Sequence, residues 1–453
     1  MDFDLLVKNG TVVFPDRPEA PLDVAVSAGR IAAVLSRGST ATAKDVIDAA
    51  GRHVFPGLID CHLHYGFGEK ITEYQTETAY AAQGGFSSVL AYLLNSGSYD
   101  DIFDRELGYA SERSHVDFGF HLSMASEVQL QQLPHYVEDF GIGSFKYYMN
   151  FKGEEGRYMG LDGTDDGYLY ELLQTAAKLE DVVVVCHTEN IEIVNRIRRQ
   201  FQRQGRDSLR DWGLSKPPIT EAENLLRATY FGEQLGATVY IPHVSSRLSV
   251  EEARFWRKRN PNFHLETCPH YLTHTMDMDI GSMGKANPPF KTQDDVNALW
   301  EALADGTIEV VASDHVPRKR ATKEKPLWQA SQGFPGTATI LPVLLSEGYH
   351  KGRISLRRIC DALTAAPARI FHIDDRKGHI RPGHDADLTI VDLNLERAVV
   401  PSELGSYSDY SLYEGWKFRG WPVRTIVRGE TVMNAGKIVG KPGLGKYLRR
   451  QST

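Results

Sequence analysis

Cysteine is scarce, with four residues in a chain of 453 (Cys61, Cys186, Cys268 and Cys360) and no CxxC spacing. That excludes a disulfide framework and points to a reducing compartment. Basic residues are not in excess: Lys+Arg is 51 against Asp+Glu 59, a formal net charge of −8. This balance argues against a dominant nucleic-acid or anionic-membrane surface. No apolar run approaches the roughly 20 residues needed to span a bilayer. Met1-Asp2-Phe3-Asp4 does not open a basic segment leading into an apolar stretch, so no signal peptide is expected and the expected location is cytoplasmic. Fixed-period repeats and low-complexity tracts are also missing. What is present is ample apolar material, 42% hydrophobic and 10% aromatic residues, enough for a large core and incompatible with a disordered or collagen-like chain.

The texture changes along the chain. Residues 1–55 read as short strands between turns, among them Leu5-Leu6-Val7, Val12-Val13-Phe14 and Ile31-Ala32-Ala33-Val34, with Asn9-Gly10 as a hairpin turn. Residues 381–453 return to that pattern in Leu388-Thr389-Ile390-Val391 and Val423-Arg424-Thr425-Ile426-Val427. Neither end is long enough for a good core alone, so one small β-sandwich built from both termini is expected. Between them, residues 56–380 alternate apolar strands with helix-length stretches, the pattern of a parallel α/β fold. Eight strands are expected, at Leu58–His64, Ser87–Tyr92, Asp117–His121, Ser144–Met149, Val182–His187, Thr238–His243, Phe263–Thr267 and Ile308–Asp314. About 40 residues per βα unit fits a (β/α)8 TIM-like barrel.

Chemistry-bearing residues gather at the ends of those strands. His62 and His64 are two apart on the first, so both imidazoles can face one side and one metal. By itself this could be two polar residues at a strand end. But Lys146 lies on the fourth strand, His187 ends the fifth, His243 the sixth and Asp314 the eighth. Active sites of barrels lie at the C-terminal strand ends, and four histidines and an aspartate at matching ends point to a metal site. Lys146 has two readings. A protonated lysine cannot ligate a cation and would hold a salt bridge at the barrel mouth. A lysine that loses its proton and takes up carbon dioxide becomes an anionic carbamate, whose two oxygens can bridge two metals.

The chain resembles the cyclic amidohydrolases (dihydropyrimidinases, hydantoinases and allantoinases) of the amidohydrolase superfamily. The resemblance is carried by Phe55-Pro56-Gly57-Leu58-Ile59-Asp60-Cys61-His62-Leu63-His64, Ser144-Phe145-Lys146, Cys186-His187-Thr188-Glu189-Asn190, His243-Val244-Ser245-Ser246, Glu266-Thr267-Cys268-Pro269-His270-Tyr271, Asn287-Pro288-Pro289 and Ser313-Asp314-His315, in order over the whole chain. It implies a centre of two divalent metals, most often zinc, with manganese or another divalent ion as the alternative. His62, His64 and Asp314 would hold the more buried ion, His187 and His243 the other, and N6-carboxylated Lys146 would bridge both together with a hydroxide. The implied reaction opens a C–N bond of a small cyclic amide, ureide or imide, with Asp314 moving the proton from the attacking hydroxide to the leaving nitrogen. Relatives often form homodimers or homotetramers.

Some positions depart from the pattern. Dihydroorotases follow the paired histidines with an arginine. Here Tyr65-Gly66-Phe67 follows, which suggests a more apolar pocket. Hydantoinases carry a tyrosine five residues after the bridging lysine, whereas this chain has Phe151, as allantoinases also lack that hydroxyl. Asn287 and Gln332 stand where relatives bind the amide edge of the substrate, though either could be ordinary turn chemistry. Alternation allows only one of Tyr147 and Tyr148 to face the pocket. It should turn His315, Cys61 and Cys186 away from the metals. Two other readings are a lactone or phosphotriester hydrolase, which would share the ligands, and a non-catalytic scaffold of the dihydropyrimidinase-like kind, which would lose them. The terminal β segments and the Cys-Pro-His-Tyr and Asn-Pro-Pro motifs favour a cyclic amidohydrolase over the first, and the filled ligand positions argue against the second.

Overall fold

The computed structural model describes residues 2–152, 156–157 and 164–450. Among the described residues, eighteen strands form two sheets. The first six are β1 (Asp2–Lys8), β2 (Thr11–Val12), β3 (Ala20–Ser27), β4 (Arg30–Ser36), β5 (Thr42–Asp48) and β6 (His53–Pro56). The next eight are β7 (Leu58–His64), β8 (Phe86–Leu93), β9 (Asp117–Ser123), β10 (Ser144–Tyr148), β11 (Val183–His187), β12 (Thr238–Ile241), β13 (Phe263–Thr267) and β14 (Val310–Val311). The last four are β15 (Leu388–Ala398), β16 (Lys417–Val427), β17 (Glu430–Asn434) and β18 (Lys437–Ile438).

β7 to β14 pair in chain order, all parallel. The barrel closes where Leu63 of β7 bridges to His315 just after β14, His64 N donating to His315 O at 2.9 Å. Apolar β-branched runs such as Val183-Val184-Val185 suit strands buried on both faces. Their alternation puts Val183 and Val185 in the barrel interior with Ile59, Leu90, Tyr240 and Val310, and Val184 and Cys186 in the layer between strands and helices. The helices follow the strands with ordinary caps. Asn190 Oδ1 accepts from Ile193 N at 3.2 Å to start Ile191–Arg203, and Ser246 Oγ accepts from Ser249 N at 3.2 Å to start Arg247–Arg257. Seven strands match the expected ranges to within two residues. The sixth and eighth are shorter than expected, so His243 and Asp314 lie beyond regular strand.

Both termini build the second sheet, whose order runs β18-β17-β16-β15-β6-β2-β3-β1-β5 with β4 on β3. Its core includes Leu5, Val7, Val24, Val54, Leu388, Ile390 and Ile426. Asn9-Gly10 is not a hairpin turn as expected. β1 and β2 both pair antiparallel with β3, and the register slips by one residue between Leu5↔Val26 and Thr11↔Pro21. Asn9, at φ 65°, therefore makes a bulge along one edge rather than a reversal. The sheet approaches the barrel closely at Gly57, where a Cβ would come within 2.6 Å of Asp387 Cβ and 2.8 Å of Ser87 Cβ.

At the N-terminal end of the barrel, Lys377 Nζ contacts Asp117 at 2.6 Å, Asp387 at 2.5 Å and Asp385 at 3.0 Å, all buried. The ammonium stands where these three carboxylates could otherwise hold a metal. The C-terminal segment straps this end: Phe118 N bonds Lys446 O, Leu448 N bonds Phe118 O, and the Leu448 side chain joins the barrel interior. Among the described residues, no helix is long and apolar enough to cross a membrane.

Candidate metal centre

The structure gathers His62, His64, Lys146, His187, His243 and Asp314 at one wall of one cavity of about 920 Å³. β7 supplies two of them through an irregularity. Its register against β8 shifts between Asp60 and Leu63, so Cys61 and His62, adjacent in sequence, both reach Glu266. This corrects the expectation for Cys61. Its thiol lies in the barrel interior, 3.5 Å from the Tyr240 hydroxyl, because the bulge breaks strand alternation there. Cys186, on a regular strand, does face outward. His315 likewise turns from the centre, its Nε2 2.9 Å from Glu77 Oε2.

His243 and Asp314 have left-handed backbones, φ 44° and 48°. Non-glycine residues adopt this region at a cost, and such strain concentrates at functional sites. Bonds behind Asp314 hold the turn: Asp60 accepts from Ser313 N at 3.1 Å and from Ser313 Oγ at 2.5 Å.

Asp314 Oδ1 stands 3.1 Å from His62 Nε2 and 3.2 Å from His64 Nε2. The His187 and His243 rings lie 4.5 Å apart between centroids, and His243 and His62 5.4 Å. Yet His62 Nε2, His187 Nε2 and Lys146 Nζ are buried without a hydrogen-bond partner. Buried polar atoms are almost always paired. A set of close donors that do not bond one another is what a cation-binding cradle requires, so the residues fit a metal centre.

The electrostatics agree. Burial works against charge on His62, but Glu266 and Asp314 outweigh it and push its pKa up to about 9. The surplus carboxylate charge is thus met by a proton where a metal would serve. Burial lowers His64 to about 4 and His243 well below the usual range, which keeps both imidazoles neutral, the ligating form. Burial also lowers Lys146 to about 8, and its Nζ lies 4.8 Å and 5.2 Å from the ring centroids of Tyr92 and Tyr148.

A supporting layer was not assigned from sequence. Glu266 Oε1 accepts from His62 Nδ1 at 2.7 Å and from His243 N at 3.1 Å, and Oε2 from the Tyr240 hydroxyl at 2.9 Å. One carboxylate thereby orients the His62 ring through its Nδ1–H and positions the strained His243 turn. The signal for it was a glutamate near the C-terminal end of the strand Phe263-His264-Leu265-Glu266-Thr267. Glu266→Gln is expected to weaken metal affinity ~10–100-fold, the usual cost of losing such a partner. Chelator competition would measure it, and unchanged affinity would remove Glu266 from the role. A second group is the buried pair of Glu189 and Lys216, 2.9 Å apart. Lys216 Nζ also donates to Asn287 Oδ1, and Glu189 Oε2 is 3.8 Å from His187 Nε2.

Phe151, Asn287 and Gln332 all line the cavity. Phe151 stacks on Tyr148 at 4.2 Å. Tyr148 lines the cavity while Tyr147 bonds Asp165 O outside it, as alternation requires. Asn287 presents a side-chain oxygen already engaged by Lys216. The Gln332 carbonyl accepts from Arg318 Nε at 2.7 Å. The expected apolar pocket is not found. Tyr65 and Phe67 do line it, but Lys70 from the same connection stands beside them, with Lys285 and Arg318 from later loops.

Comparison with known proteins places this arrangement. The amidohydrolase family model matches residues 163–432. A D-hydantoinase of Ralstonia pickettii is 32% identical over 469 residues, covering 99% of each chain. An allantoinase of Rubrobacter xylanophilus is 34% identical over 462 residues, covering 99% of this chain and 98% of its own. Among solved structures, a D-hydantoinase superposes with a TM-score of 0.91 at 30% identity, over 98% of both chains. A dihydropyrimidinase from Brevibacillus agri gives 0.90 at 28% over the same shares. With the fold, the order of its motifs and full-length similarity in agreement, the chain belongs to the amidohydrolase family, in its cyclic amidohydrolase branch.

Proposed function

We propose that this protein hydrolyses the C–N bond of a small cyclic amide, ureide or imide, in the manner of a hydantoinase or dihydropyrimidinase. The observation that carries the reading is the group of close, mutually unbonded buried donors around Lys146. His62, His64 and Asp314 would hold one divalent cation and His187 and His243 a second. Imidazole and carboxylate donors suit zinc, with manganese as the alternative. When bound, the cations supply Lewis acidity to the scissile carbonyl and lower the pKa of water.

The remaining work falls to the chain. Lys146, with its pKa lowered by burial to about 8, has a substantial neutral fraction near pH 8. The neutral amine adds to carbon dioxide, giving a carbamate and releasing a proton, and so turns a cation that repels metals into an anion that would help to hold them. Water is added across the C–N bond: hydroxyl to the carbonyl carbon, proton to the ring nitrogen. Asp314 accepts the proton at a carboxylate oxygen during attack and returns it to the departing nitrogen. Phe151 brings no hydroxyl to the developing oxyanion, which favours allantoinase as the second reading. A cytoplasmic homodimer or homotetramer is the setting we infer, in keeping with four free cysteines.

The test is zinc-loaded protein prepared in bicarbonate, assayed on hydantoin, phenylhydantoin, dihydrouracil, allantoin and succinimide, with metal content measured alongside. Turnover of one ring class with about two metals per chain is expected. Lys146→Ala should lose metal and rate together. A Lys146→Ala protein that keeps both metals and near-normal turnover would remove the bridge from the scheme.

A further inference from the structure

Tyr92 belongs to the wall of the metal centre, yet its hydroxyl has no role there so far. The residue lies near the end of β8, in register with His64 of β7 and His121 of β9. Its ring stacks on both, 5.2 Å from the His64 ring centroid and 4.6 Å from that of His121, and meets His62 edge-on at 4.9 Å. His121 is itself anchored, Nδ1 against Ser144 Oγ and Nε2 against Cys61 O at 3.0 Å. Three histidine rings thus fix the plane of Tyr92 and the direction of its hydroxyl. That hydroxyl is buried and, among the described residues, has no hydrogen-bond partner. Buried hydroxyls are almost always paired, so this one marks the place of a group that completes the site.

Two observations point to Lys146. Its Nζ, also buried and unpartnered, lies 4.8 Å from the centroid of the Tyr92 ring. An ammonium is attracted to the face of such a ring, whose π electrons carry negative charge. A carbamate on the same nitrogen is repelled by that face, and the part of a tyrosine that suits an anion is its hydroxyl. The nearby carboxylates, meanwhile, are engaged. Glu266, the carboxylate that acts most strongly on the Tyr92 hydroxyl, accepts from His62 Nδ1, His243 N and the Tyr240 hydroxyl. Asp314 faces His62 and His64. A phenol keeps its proton up to about pH 10. Tyr92 is therefore a donor without an acceptor, beside a lysine whose carboxylation creates two acceptor oxygens.

We propose that the Tyr92 hydroxyl donates a hydrogen bond to the carbamate oxygen of carboxylated Lys146, and that Tyr92 is the positioning residue that favours carboxylation of this lysine. The covalent step is unchanged: the neutral amine forms an N–C bond to carbon dioxide, and one proton leaves the nitrogen for solvent. Hydrogen bonds to an ionised acceptor are the strong ones. Only the carboxylated lysine offers Tyr92 that acceptor, so the bond draws the equilibrium towards the carbamate and slows its loss. It also aims the carbamate, because the ring that carries the hydroxyl is already held against His62 and His64. The inference deepens the reading of Lys146 as a carboxylated lysine and rests on it.

Tyr92→Phe removes the hydroxyl and keeps the stacked ring. The parent and this variant are loaded with zinc from a chelator buffer at graded concentrations of carbon-13 bicarbonate, and the carbamate carbon is followed by NMR. Tyr92→Phe is expected to need ~10-fold more bicarbonate, or beyond, for the same carbamate signal and the same zinc uptake, the cost of one hydrogen bond to a charged group. Saturating bicarbonate should restore both. Without zinc and bicarbonate the variant should unfold no more easily than the parent, because the hydroxyl it lacks has no partner in that form. An unchanged bicarbonate dependence would overturn the inference. So would a loss of zinc that bicarbonate does not restore, which would make Tyr92 a packing residue of the centre. A parent without any carbamate signal, with zinc uptake indifferent to bicarbonate, would overturn the reading of Lys146 and this inference with it.

Discussion

Asp314→Ala should lose ring opening almost entirely, by ~10³-fold or more, the range expected when a general base is removed. Three properties put this residue at the centre of the chemistry. Its Oδ1 stands between His62 and His64 at 3.1 and 3.2 Å. Its carboxyl is held well below the ordinary carboxylate range because the two histidines outweigh burial, so it is ionised and ready to accept a proton. Its backbone, at φ 48°, is held by the neighbouring Ser313–Asp60 bonds rather than by its own side chain, so truncation need not unfold the loop. Asp314→Asn separates the effects further, since it keeps shape and one oxygen while losing the charge. We expect Asp314→Asn to remain folded and to lose kcat rather than raise KM. Steady-state kinetics beside far-UV circular dichroism would check this. An asparagine variant within about tenfold of the parent would assign proton transfer elsewhere.

The barrel was legible because its strands are apolar, β-branched and regularly spaced, and because its ligands fall at their ends. β11 is the clearest case, since Val183, Val185 and His187 share the inner face by simple alternation. Legibility failed where the chain leaves regular geometry. The sixth and eighth strands stop short of His243 and Asp314, and each residue reaches the site through a left-handed turn. A sequence reading can place the residue there but not the turn. The bulge in β7 likewise defeats alternation and brings Cys61 inside. Asn9-Gly10 carries the composition of a hairpin turn but makes a bulge, because β3 is long enough to pair with β1 and β2 in succession. The Glu266 and Lys216 networks were hidden for another reason. Each links residues more than 20 positions apart, and no local pattern reports such partnerships.

The second large effect concerns stability rather than catalysis. Lys377→Met should destabilise the fold by ~3–5 kcal/mol, the range for breaking a buried ion pair by removing one partner. The methionine fills much of the lysine's volume, so packing is not the issue. The variant leaves Asp117, Asp385 and Asp387 close together and buried, with Arg428 still on Asp117 and Arg376 on Asp385, but Asp387 keeps the Arg428 backbone N–H at 2.7 Å and no cation in place of the 2.5 Å contact from Lys377. The location makes the loss structural at long range. Asp117 begins β9, Asp387 immediately precedes β15, and Lys446 of the C-terminal strap donates its backbone N–H to Asp117 at 2.8 Å. The ammonium therefore ties barrel, terminal sheet and strap at one point, at the end of the barrel away from the metal centre. Adding Asp387→Asn to Lys377→Met removes the most exposed deficit of charge and should recover part of the loss, which a pure packing effect would not. Urea unfolding of the parent, single and double variants measures both numbers. A single variant within about 1 kcal/mol of the parent would mean that the cluster is solvated well enough to do without its lysine.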